Sequence, residues 1–155
     1  MKRLTREEKF MREAIKSAKR GQAEGEVPIG AVVVYEGKVV SRGYNRRAKL
    51  QLASAHAEMM AIDKACKKFG SWRLPEGCEL YVTLEPCPMC MGAIINSRLG
   101  KVVFGAKDAK AGACGSVLDM RTYPLNHKPV VENGLLKEEC ASVLRAFFER
   151  KRGNK

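Results

Sequence analysis

Runs rich in β-branched residues alternate along this chain with stretches of helical periodicity, and that alternation restricts the fold more than any other feature. Residues 29–35 and 39–43 flank Glu36-Gly37-Lys38, the pattern of a β-hairpin. Residues 78–84 and 101–105 read as further strands. Between them lie helical stretches. Thr5 and Glu8 form a capping-box pattern ahead of a stripe of Phe10, Met11, Ala14, Ile15 and Ala18, which should end near residues 21–25. A second helix spans about 56–69 and stops at Gly70, and a third covers 88–97. The last runs from about 136 to 151, with Cys140, Val143, Leu144 and Phe147 on one stripe. Residues 44–55 are polar, and 109–131 mix Gly, Pro and Asn without a readable period. Strands alternating with helices imply an α/β fold whose sheet is covered on both faces, with function at the carboxyl ends of the strands. No repeat or linker interrupts the 155 residues, so one domain spanning 1–155 is expected.

Composition narrows the setting. The longest apolar run, 29–35, is far too short to cross a bilayer, and with the first twenty residues dense in charge no secretory signal is expected. A cytoplasmic location is expected, with no membrane association. Six cysteines in such a compartment point to metal binding or catalysis rather than disulfides. Lys plus Arg is 29 against 17 Asp plus Glu, a net charge of +12 at pH 7. That excess suggests a polyanionic partner, nucleic acid above all, and implies no protein partner. The cations gather at two ends: Lys2, Arg3, Arg6, Arg12, Lys19 and Arg20, then Arg145, Arg150, Lys151, Arg152 and Lys155. Solvated helix faces are the competing account of both groups.

Two short motifs carry the chemistry, each at a helix start. His56-Ala57-Glu58 opens one helix and Pro86-Cys87-Pro88-Met89-Cys90 another. Cysteines three apart on a first turn aim both sulfurs at one point, and a helix N-terminus favours the thiolate. His56, Cys87 and Cys90 would supply three zinc ligands, and no second CxxC or paired histidine completes a closed site, which favours a catalytic metal with one open position. Two thiolates neutralise Zn²⁺ and weaken it as a Lewis acid, so a carboxylate must move the protons; Glu58 is placed to do so. The order H-x-E then P-C-x-x-C resembles the signature of zinc-dependent nucleobase deaminases. A thioredoxin-like redox pair would leave His56 and Glu58 idle. A structural zinc module would need a fourth ligand from Cys66, Cys78, Cys114, Cys140 or His127.

From about Phe10 to Arg152 the chain resembles the bacterial tRNA-specific adenosine deaminases. Beyond the zinc motifs the resemblance rests on Gly25-Glu26-Val27-Pro28-Ile29-Gly30-Ala31, Val82-Thr83-Leu84-Glu85-Pro86-Cys87, Val103-Phe104-Gly105-Ala106-Lys107-Asp108, Asn126-His127 and Phe147-Phe148. It implies a three-layer α/β/α cytidine-deaminase-like fold with a central mixed sheet of about five strands, a homodimer with one Zn²⁺ per subunit, and the wobble adenosine in the anticodon loop of an arginine tRNA as substrate. It also implies that Asn45 hydrogen-bonds the target base, that Asp108 lies near the ribose, and that Phe148 and Arg152 touch the anticodon loop. Two departures stand out. Residues 46–54 read RRAKLQLAS where many members place Asp-Pro-Thr or Gln-Pro-Thr, and Glu149 sits where some have a basic residue.

An anticodon loop is single-stranded, so its bases can be splayed into a buried site at modest cost. Hydrolysis at adenine C6 would give inosine and ammonia, with Glu58 protonating first the ring nitrogen and then the leaving group. Two rivals share part of this pattern. A deaminase of free guanine, cytosine or a nucleoside would keep every zinc-site residue but needs no basic surface. A zinc-stabilised RNA-binding module would need neither Glu58 nor an open coordination position.

Overall fold

The computed structural model describes residues 3–153; Lys2 and Lys155 of the two basic groups lie outside the described residues. Helix α1 (Arg6–Ala23) begins with the expected capping box: the Thr5 hydroxyl accepts from the Glu8 amide at 3.0 Å, and the Glu8 carboxylate accepts from the Thr5 amide at 2.9 Å. Strands β1 (Gly30–Tyr35) and β2 (Lys38–Tyr44) form the hairpin. A short α2 (Arg47–Leu50) lies in the polar segment, followed by α3 (Ala57–Phe69), β3 (Glu79–Leu84), α4 (Pro88–Asn96) and β4 (Lys101–Ala106). A 3₁₀ turn at Met120–Thr122, strand β5 (Val130–Asn133) and α5 (Lys137–Gly153) complete the chain.

The five strands make one mixed sheet in the order β2-β1-β3-β4-β5. β1 pairs antiparallel with β2 and β3, whereas β3, β4 and β5 run parallel. Side-chain alternation sorts the core into two layers. Ala31 and Val33 of β1, Leu80 and Val82 of β3, and Val102 and Phe104 of β4 pack on Ala57, Ala61, Ile62, Met91 and Ile94 of α3 and α4. Val32, Val34, Tyr81 and Val103 face the other way, onto Met11, Ala14 and Ile15 of α1 and Cys140 of α5. This is the three-layer α/β/α arrangement, and it follows from the period of two in strands buried on both faces. Among the described residues no helix is long and apolar enough to span a membrane.

Two elements were illegible in the sequence. β5 reads as loop because three of its four residues are exposed, so no apolar pattern marks it. α2 carries no buried residue and no side-chain cap of its own. Its amides are satisfied from outside: Asn45 Oδ1 accepts from Arg47 at 3.2 Å, and the Glu26 carboxylate accepts from Ala48 and Lys49 at 3.1 and 2.7 Å. Distant acceptors thereby give the 46–54 loop a defined shape without the proline that many similar sequences have.

One close approach fixes where α3 begins. A Cβ at Gly43 would collide with the Ala57 carbonyl and the Ala61 amide, so glycine lets the first turns of α3 lie directly on β2. That contact holds His56, the N-cap of α3, beside the carboxyl ends of β3 and β4.

Candidate active site

The N-termini of α3 and α4 converge. His56 caps α3, Cys87 caps α4, and Cys90 lies one turn in and is fully buried. His56 Nδ1 lies 3.6 Å from Cys87 Sγ and 3.5 Å from Cys90 Sγ, and the three ligand atoms fall within 4.8 Å of one another. Tetrahedral zinc bonds of about 2.1 Å to nitrogen and about 2.3 Å to sulfur place such atoms about 3.6 Å apart. The residues therefore fit a zinc ion, by donor type and by spacing. The four scattered cysteines take no part in the cluster. His127 is not a ligand either: its Nε2 bonds the Leu99 carbonyl.

Electrostatics at the cluster follow from hydrogen bonds among its members and from burial. The Cys87 thiol is pulled down to about 4, first by the hydrogen bond with Cys90 and then by His56. Cys90, the other half of that pair, is pushed up by the same bond and by burial. His56 is raised chiefly by its bond to Cys87. Glu58, on the first turn of α3, is only 4% exposed, and burial lifts its carboxyl to about 7. A group near neutrality serves equally well as acceptor and donor of a proton.

His56, Glu58 and Cys87 line a cavity of about 230 Å³, with Cys90 buried behind them. Val27, Ile29 and Leu84 give it apolar walls, while Asn45, Arg47 and Asp108 add polar ones. Asn45 is buried; its Oδ1 serves the Arg47 amide and its Nδ2 donates to the Val27 carbonyl at 3.4 Å, which leaves one N–H for a ligand. Asp108 Oδ1 caps its own turn by accepting from the Lys110 and Ala111 amides at 3.0 and 3.2 Å, and the other oxygen remains for a ligand. Phe148 and Arg152 are not brought to this cavity. They lie exposed on α5, where the Phe147 and Phe148 rings stand edge to face at 5.3 Å. Phe147 is the more covered of the two, as adjacency on a helix requires.

Sequence reasoning assigned no role to Glu85. It sits between β3 and the cysteine motif at 2% exposure and accepts from the amides of Asp108 (3.0 Å), Cys114 (2.9 Å) and Ser116 (3.2 Å) and from the Ser116 hydroxyl. Burial raises its pKa, but the Ser116 hydroxyl and the three amides outweigh that and hold it below the ordinary glutamate value. A Cβ at Gly112 would strike the same carboxylate, so that glycine is what lets the 108–116 loop close over it. The available signal was an acidic residue embedded in an apolar strand end, Val82-Thr83-Leu84-Glu85-Pro86. Glu26 and Arg47 were passed over in the same way.

A three-ligand metal cluster with a buried carboxyl beside it, at the carboxyl edge of such a sheet, defines a zinc-dependent deaminase. Residues 4–106 match the family model for the cytidine and deoxycytidylate deaminase zinc-binding region. Over 153 residues the chain is 51% identical to the tRNA-specific adenosine deaminase of Bacillus subtilis, covering 98% of this chain and 94% of that protein. A solved structure from work on A-to-I editing by tRNA:A34 deaminases at the wobble position superposes with a TM-score of 0.85 at 43% identity, over 88% of this chain and 99% of that one. A guanine deaminase from Nitrosomonas europaea superposes with a TM-score of 0.76 at 28% identity, over 90% and 83%. The chain belongs to the cytidine and deoxycytidylate deaminase family, among its tRNA-specific adenosine deaminases.

Proposed function

We propose that the protein converts the wobble adenosine of a tRNA anticodon loop to inosine, consuming water and releasing ammonia. The observation that carries this reading is that Glu58 and the His56–Cys87–Cys90 cluster lie together, with Glu58, His56 and Cys87 lining a cavity with room for one base. His56, Cys87 and Cys90 would hold a zinc ion, which when bound would supply the nucleophilic water, with Glu58 beside it to take its proton. Glu58 would accept that water's proton and deliver it to the ring nitrogen next to C6, then take the remaining proton of the hydroxyl added at C6 and pass it to the amino group, which leaves as ammonia as the C6 carbonyl forms. Asn45 donates to the base edge, and the free oxygen of Asp108 accepts from the ribose 2′-hydroxyl. Val27, Ile29 and Leu84 flank the base and exclude bulk water. Phe148 and Arg152 on α5 meet the anticodon loop, by stacking and by charge.

The whole chain acts as one deaminase domain, in the cytoplasm, where its substrate is found. It works as a homodimer; support for this comes from apolar side chains left uncovered in the single chain, Leu52 at 53% and Met89 at 38% exposure. Sedimentation of the zinc-loaded protein at twice the chain mass is expected, and a monomer at micromolar concentration removes the dimer. The activity is tested by incubating an unmodified arginine tRNA transcript and free guanine in parallel. Inosine at the wobble position is expected. Xanthine formation with no inosine overturns the RNA reading in favour of a free-base deaminase.

A further inference from the structure

The loop between β2 and α3 carries three cations, and two of them are occupied. Lys49 Nζ is paired with Glu24 at 3.0 Å. The Arg46 guanidinium is turned inward: its Nε is buried with no hydrogen-bond partner among the described residues, and the group lies over the Tyr44 ring at 5.6 Å, whose hydroxyl donates to Glu24 at 2.6 Å. Arg47 is different. It is exposed, it enters no ion pair among the described residues, and it forms part of the cavity wall. It also borders the adjoining surface hollow made by Ala48, Gln51, Leu52 and Ala53. Its backbone is fixed by the site itself, since its amide is held by Asn45 and the next two by Glu26. Asp108, a carboxylate on the same wall, faces the amides of Lys110 and Ala111 rather than Arg47.

An uncommitted guanidinium at the lip of a cavity whose floor receives a neutral base calls for an anion adjoining that base. In a nucleic acid the only such group is the phosphodiester of the inserted nucleotide, which stays outside when the base is turned in. Guanidinium suits a phosphate oxygen by charge and by its planar fork of donors. We propose that Arg47 binds a phosphodiester next to the nucleotide held in the cavity, and so favours a residue within RNA over a free base; this rests on the reading of the site as an RNA adenosine deaminase. Glu24 and Glu26, just beyond α1, serve this contact: the first pairs with Lys49 and the second holds the Ala48 and Lys49 amides.

The test uses zinc-loaded wild type, Arg47→Ala and Arg47→Lys on an anticodon stem-loop. A second set of stem-loops carries one uncharged methylphosphonate linkage, on the 5′ or the 3′ side of the target adenosine. Arg47→Ala should raise KM about tenfold while kcat stays within about twofold, and lysine should recover part of the loss. The slope of log kcat/KM against log salt should become shallower by about 0.7, the value for one single-strand phosphate. Zinc content and thermal unfolding should match wild type. At one of the two linkages the uncharged group should weaken the wild type by the same factor and Arg47→Ala no further. Unchanged KM, or additive losses at both linkages, overturns the Arg47 contact while leaving the deaminase reading intact. Failure of the wild type to form inosine in the unmodified stem-loop removes that reading, and the proposal with it.

Discussion

Glu85 brings a negative charge into a site that is 2% exposed, where four donors from a single loop meet it. A glutamine there keeps the shape but turns an NH₂ group toward donors that need an acceptor, and leaves at least one buried amide unsatisfied at about 1–3 kcal/mol. Glu85→Gln should therefore lower unfolding stability by about that amount in denaturant titration, and a change below about 0.5 kcal/mol would show that the loop holds itself. Glu58 obeys different rules because its side-chain partners are the cluster residues His56 and Cys90 rather than a loop that its charge holds in place. Glu58→Gln should keep stoichiometric zinc and a normal melting temperature yet slow inosine formation by about 10²- to 10⁴-fold, the usual contribution of a positioned acid–base group. Metal analysis beside a single-turnover assay checks it; full activity would remove the proton-transfer role. His56, Glu58, Cys87 and Cys90 are legible in the sequence because ligand chemistry imposes residue type and local spacing together. Glu85 and Glu26 are not, because a buried carboxylate is explained only by donors that lie more than twenty residues away in the chain.

At the scale of elements, legibility tracks burial. β1, β3 and β4, buried on both faces, declare themselves as apolar runs, and α1 declares itself through its cap and its stripe. β5 and α2 do not, since the first is a mostly exposed edge and the second owes its shape to acceptors elsewhere. α2 shows what such an element is for. Its first three amides are tied to Asn45 and Glu26, and it carries Arg47 to the cavity wall. Removing the tie by Glu26→Ala should free the Ala48 and Lys49 amides to exchange with solvent at least about tenfold faster, while α3 and the sheet keep their protection, since loops open locally at low free energy. The same variant should raise KM for tRNA more than it lowers kcat. Uniform loss of protection throughout the chain would mean that Glu26 supports the fold as a whole rather than this loop.

The charge of the whole molecule is less evenly available than its composition suggests. On α1 three of the six cations are ion-paired: Arg6 with Glu79 at 3.4 Å, Arg12 with Glu139 at 2.9 Å, and Lys16 with Glu13 at 2.8 Å. The first two pairs tie α1 to β3 and to α5, so the solvated-face account suits that end of the chain. At the end of α5 the position is reversed. Arg150, Lys151 and Arg152 enter no ion pair among the described residues, and Phe148 stands exposed at 42% beside them. Arg150 and Lys151 also line a shallow hollow with Phe147, Gln22 and Gly25. Here the net charge of +12 has an identifiable outlet, and it separates an enzyme of RNA from one of free bases. Each phosphate neutralised releases counterions, so kcat/KM on tRNA should fall steeply with salt. Replacing Arg150, Lys151 and Arg152 together by glutamine should make that slope shallower by up to about 2, roughly 0.7 for each single-strand phosphate that no longer meets a cation. At low salt the triple variant should also bind tRNA at least about tenfold more weakly, with kcat at saturation nearly unchanged because none of the three reaches the cavity. Rates on wild type and variant across a salt series decide it. A flat wild-type response would mean that the basic surface serves solubility alone, and a variant slope equal to wild type would move the RNA-binding face away from α5.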